Sequence, residues 1–278
     1  MSLRSSSSRA PEASWRATAE RVAGILAWVG CAAVIVVLAT VVLPRLRATA
    51  YGSASTRIAI RFPNAPRWMT ATEMQPIEDA AQSIVTRGRG RDMLQTLQRY
   101  LASTGWFESV EQVRLVDHDG IEVIATYATP TALVADGGID HLCDSRGHRM
   151  ARDYRAKDGP SLVRVLGVPG PTPAVAAAWN GPALKDAINL LQTIEAQPWR
   201  SQIAAIGVGR HAKEGSLELV TTGGSTIVWG RAPSAASPAE VPTGQKLEYL
   251  AFLYAKHGRI DHGHPTSIDV RVDCASAR

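Results

Sequence analysis

Apolar and polar positions along this chain fall into three regimes. From Val22 to Leu43 the sequence VAGILAWVGCAAVIVVLATVVL contains no charged residue. As a helix this run measures about 33 Å, against a hydrocarbon core of about 30 Å, so it is expected to be a membrane span. A signal peptide is the rival, because Ala48–Ala50 offers small residues for cleavage. Its apolar region would be about 7–15 residues, shorter than the run here. Residues 1–21 show no apolar period and are expected to be a disordered tail, and 44–56 a polar linker.

Past residue 56 the period switches between two and about 3.6. Ile58, Ile60 and Phe62 alternate with Arg57, Ala59 and Arg61, which predicts a short strand. Met74, Ile77, Ala81 and Ile84 predict a helix over 72–85, and Leu94, Leu97 and Leu101 a second over 91–103. Asp92 sits at the favourable end of that second helix and Gly105 stops it. EQVRLVDHDGIEVIATYA then forms a hairpin about Asp119-Gly120. Residues 57–128 are therefore expected to be a strand–helix–helix–strand–strand unit.

The rest is strand-rich. HLCDSRGHRMA predicts two strands about a turn at Asp144–Gly147, and SLVRVLG a further one. Pro182 opens a helix with Leu184, Ile188 and Leu191 on its turns, and Pro198 closes it. SQIAAIGVG, GSLELVTTGG and STIVWG predict successive strands. RAPSAASPAEVP is a loop, and a helix over 245–257 places Leu247, Leu250, Ala251 and Tyr254 inward. The last strand, SIDVRVDCASAR, alternates Ile268, Val270, Val272 and Cys274 against Asp269, Arg271 and Asp273. The expected fold class is α+β: a transmembrane helix (22–43), a small β-α-α-β-β domain (57–128) and a mainly antiparallel β domain with flanking helices (129–278).

Charge alters this picture little. The net charge is +5 over 278 residues, Arg outnumbers Lys, and no basic block stands out, so a nucleic-acid partner is weakly supported. Arg4, Arg9, Arg16 and Arg21 precede the apolar run while Arg45, Arg47 and Arg57 follow it, so charge alone leaves its orientation open. Of three cysteines, Cys31 lies in the span; the spacing of Cys143 and Cys274 does not require a disulfide.

Catalytic patterns are missing. There is no nucleophile elbow and no phosphate loop; the glycines of GVPGPTP are interrupted by prolines that lack N–H donors. His257, Asp261, His262 and His264 have ligand chemistry without a second cluster at firm spacing. His141, Cys143 and His148 straddle a hairpin. The expectation is a protein that is not an enzyme and needs no cofactor or metal. A membrane-anchored envelope hydrolase is the competing class.

The order of parts resembles the FtsQ/DivIB family of bacterial cell-division proteins, whose first extracytoplasmic module is a POTRA domain. GWFESVEQVRL, HLCDSRGHRM, LVRVLGVPGP, GSLELVTTGGSTIVWGR, KLEYLAFLY and SIDVRVD are similar to successive motifs of that family, in order. The insert around Ala232–Pro242 and Val272, in place of a frequent Tyr, depart from its pattern. The resemblance implies a single-pass inner-membrane scaffold at the septum, with its C-terminal domains in the periplasm. It would link early and late division proteins and support septal peptidoglycan synthesis. It also implies FtsB/FtsL-like partners, and FtsW/FtsI-like ones, with strand addition along Arg271, Val272, Asp273, Cys274, Ala275 and Ser276. A POTRA-bearing protein of outer-membrane assembly or secretion is the alternative within the same class.

Overall fold

A computed structural model of the protein describes residues 58–87, 90–116, 120–261 and 267–272. The expected tail, span and linker lie outside the described residues, as do His262, His264 and Asp273–Ser276. Among the described residues no helix is long and apolar enough to cross a membrane.

The first unit has the expected order. Strand β1 (Ala59–Arg61) is followed by helices α1 (Ala71–Arg87) and α2 (Gly90–Ser103), then β2 (Phe107–Val116) and β3 (Gly120–Tyr127). Thr70 and Glu73 begin α1 as a capping box, the Thr70 N–H donating to the Glu73 carboxylate at 3.0 Å. β3 lies between its neighbours, parallel to β1 and antiparallel to β2. Ile77, Ala81 and Val85 of α1, with Met93, Leu97 and Leu101 of α2, bury against Ile121 and Val123 of β3.

Eight strands form the larger sheet, in the order β11-β10-β9-β8-β7-β4-β5-β6. They are β4 (Pro130–Asp136), β5 (Ile139–Asp144), β6 (Arg149–Arg155), β7 (Val163–Leu166), β8 (Ile203–Gly207), β9 (Leu217–Thr221), β10 (Thr226–Gly230) and β11 (Ser267–Asp269). The expectation of a mainly antiparallel sheet needs correction: β4–β7, β7–β8 and β10–β11 pair in parallel, so the sheet is mixed. The cause is visible in the connections. Helix α3 (Pro182–Ile194) lies between β7 and β8, and α4 (Thr243–His257) between β10 and β11. A long helical connection returns the chain to the same end of the sheet, whereas a tight hairpin reverses it. The fold is α+β with a mixed sheet.

Strand β4 escapes alternation, as β5 and β10 do. Ala132, Leu133 and Val134 are all buried. Ala132 and Val134 face the core beneath α3, and Leu133 joins Leu142 and Met150 in the core of the small unit. With both faces covered, period two disappears from the strand. The described residues consequently belong to one compact unit, Ile58–Arg278, carrying two sheets.

At the far edge of the large sheet the chain itself caps the first residue of β6. On β6, Arg149 donates its N–H to the Ala177 carbonyl at 2.9 Å and accepts from Ala176 at 2.8 Å. Gly105, at φ +73°, allows the turn after α2 to approach; a Cβ there would lie 2.7 Å from Val175 Cγ1 and 3.1 Å from the Arg149 carbonyl.

Candidate partner-binding edge

The opposite edge is β11. Ser267, Ile268 and Asp269 lie beside Thr226, Ile227 and Val228 in parallel register. Val270 is fully buried, and its N–H continues the ladder to the Val228 carbonyl at 3.1 Å. Main-chain groups alternate in direction along a parallel strand, so those of Asp269, the last residue of β11, face away from the sheet. The described residues offer the Asp269 N–H and C=O no partner, which leaves them available to an incoming strand.

Arg271 is arranged differently. Just past the strand, its N–H donates to Asp269 Oδ1 at 2.9 Å, and its carbonyl accepts from the Val241 N–H at 2.9 Å. The guanidinium closes on Asp269 at 3.1 Å (Nε to Oδ1) and 2.8 Å (Nη2 to Oδ2), with Glu214 at 3.4 Å. Hydrogen bonding from Arg271 holds the Asp269 carboxyl below its usual range, and the same bond raises the guanidinium. The docking line expected to begin at Arg271 is thus already occupied at its first residue.

What occupies it is the 232–242 insert, pinned at both ends. Ala232 is buried and the Ser234 N–H donates to Asn189 Oδ1 of α3 at 2.9 Å. At the other end the Glu240 carboxylate accepts from the Arg231 N–H at 3.1 Å and from Lys246 Nζ at 2.8 Å. Lys246 is 2% exposed; it also donates to the Trp229 carbonyl at 2.7 Å and stands 5.3 Å from the centroid of that indole ring. Gly230, at φ +92°, makes room for this carboxylate. A Cβ there would meet Glu240 Oε2 at 2.2 Å and Arg271 Cγ at 2.8 Å.

No family model and no curated protein matches the chain.

Among the residues expected on the docking line, Arg271 has its main chain engaged and Val272 is 65% exposed. The inward series Ile268, Val270, Val272 therefore stops at Val270. Asp273, Cys274, Ala275 and Ser276 lie outside the described residues. Glu240, Val241 and Lys246 join the site without having been marked by sequence reasoning. Lys246 had a trace there: the buried face of α4 is Lys246, Tyr249, Leu250 and Leu253, with Leu247, Ala251 and Tyr254 only packed against its margin. That i, i+3, i+4, i+7 stripe is regular helix spacing with a cation in its first place.

Those ligand-type residues that are described are engaged within the fold. His141 is buried with Nδ1 2.7 Å from Asp153 Oδ1, His148 lies 3.5 Å from Asp144, and Asp261 takes the Arg259 guanidinium at 2.7 Å. Among the described residues no group of three or more His, Cys, Asp or Glu is placed to hold a metal ion. Cys143 is a buried thiol pushed up to about 12, by burial first and by the neighbouring Asp144 second.

Proposed function

We propose that this protein is a non-catalytic, single-pass scaffold of the bacterial division machinery, of FtsQ/DivIB type. In this reading it is anchored through residues 22–43 in the inner membrane and recruits FtsB/FtsL-like partners at the septum, with FtsW/FtsI-like proteins further along. Its support is the succession of motifs, joined to a strand–helix–helix–strand–strand unit leading into a strand-rich unit. The observation that carries the mechanism is the outward N–H and C=O of Asp269 on an edge strand. Strand addition takes affinity from such main-chain groups, and a shared membrane raises the effective concentration of both partners.

Asp269→Pro tests it. The Asp269 N–H faces away from β10, so proline removes no ladder bond there while deleting the donor that a visiting strand needs. Tagged full-length protein isolated from its own bacterium is expected to carry FtsB/FtsL-like partners. Asp269→Pro should lower their recovery at least tenfold, and Asp269→Asn, which keeps the N–H, should not. Recovery unaffected by proline would overturn the edge mechanism. Depletion of the protein should give filamentous cells; cells of normal length would overturn the division role.

A further inference from the structure

The insert that closes the edge also describes what belongs there. We infer that the Glu240-Val241 pair is a built-in stand-in for the partner, and that the partner's docking segment is an extended acidic–apolar stretch. That segment brings a carboxylate to Lys246 and, from its next residue, a main-chain N–H to the Arg271 carbonyl. The inference rests on the reading of β11 as the docking edge.

Three observations carry it. Val241 already gives a main-chain N–H to the Arg271 carbonyl, at 2.9 Å, just past the end of β11. Glu240 neutralises a lysine that is 2% exposed, so any segment displacing the insert must replace that negative charge. Leaving a buried ammonium unpaired is far more costly than exchanging one carboxylate for another. Third, Gly230 leaves space for one carboxylate against the backbone, space that a Cβ would fill. Between its anchors the insert is exposed at Ala235, Ala236, Pro238 and Ala239, so its release is a local opening.

The test uses the full chain, a labelled peptide Ser-Pro-Ala-Glu-Val-Pro copying residues 237–242, and the same peptide with Gln for Glu. Opening is followed by the acetylation rate of Lys246, resolved by mass spectrometry. Glu240→Gln should speed Lys246 acetylation at least tenfold and bind the Glu peptide at least tenfold more tightly than wild type, with the Gln peptide not bound. Gly230→Ala should also expose Lys246, yet bind neither peptide, because its methyl group fills the carboxylate's place. Slow Lys246 acetylation in both variants would overturn the inference, as would equal binding of the two peptides by Glu240→Gln, or no binding of the Glu peptide by Glu240→Gln while its Lys246 is acetylated fast. Recovery of membrane partners is a separate measurement. Its insensitivity to Asp269→Pro would remove the edge reading and with it the link to a partner, while peptide binding reports the carboxylate site alone.

Discussion

Lys246 concentrates the physics of the edge in one side chain. Its ammonium is held by the Glu240 carboxylate and by the carbonyl and indole face of Trp229. Lys246→Met keeps the aliphatic stem but removes the donor to the Trp229 carbonyl and the charge that faces Glu240; it should lower unfolding stability by about 1–3 kcal/mol, as leaving a buried polar partner unsatisfied does. Urea denaturation checks it. Asp269 gives a pH dependence of defined sign. Because Arg271 lowers its carboxyl in the folded state, its contribution is present above the ordinary carboxylate range and disappears as pH falls through the lowered value. The stability difference between wild type and Asp269→Asn should thus be largest near neutrality and vanish in strong acid. A constant difference between pH 7 and pH 2 would contradict the assignment. Cys143, pushed up to about 12, should resist alkylation at pH 8 in the folded protein and react on unfolding, as site-resolved mass spectrometry will show.

At the scale of elements, the local signals were strong and the pairings were not. Asp92, Pro182 and Gly258 mark helix ends, and the structure places α2, α3 and α4 within about two residues of the expected bounds. Strand and turn signals in the sequence located β7 to β10 and both strands of each predicted hairpin. They said nothing of β4, whose residues are covered on both sides, nor of which strands run parallel. The alternation also overran the end of β11, because Val272 is exposed where the pattern turns it inward. Helix α3 is the element on which the core depends most, burying Ala187, Leu190 and Ile194 completely. Leu190→Ala should cost about 2–5 kcal/mol, measurable as a shift in the urea midpoint.

On the scale of the whole molecule, the two sheets share a core through Leu133, Leu142 and Met150, which reach from β4, β5 and β6 into the cluster beneath α1 and α2. Unfolding should therefore be cooperative across both sheets. Leu142→Ala should lower the midpoint reported by the Trp106 region and by the Trp229 region together; two separated transitions in the wild type would contradict this. The residue pattern alone determined that this chain has a long apolar run, helices with marked ends and an α+β succession of elements, because period, caps and turns are local properties. Tertiary structure alone decided the mixed pairing of the large sheet and which groups meet at the end of β11. Glu240 and Arg271 are 31 positions apart in sequence, and only folding brings an insert across a strand end, where burial turns an unremarkable glutamate into the partner of a hidden lysine.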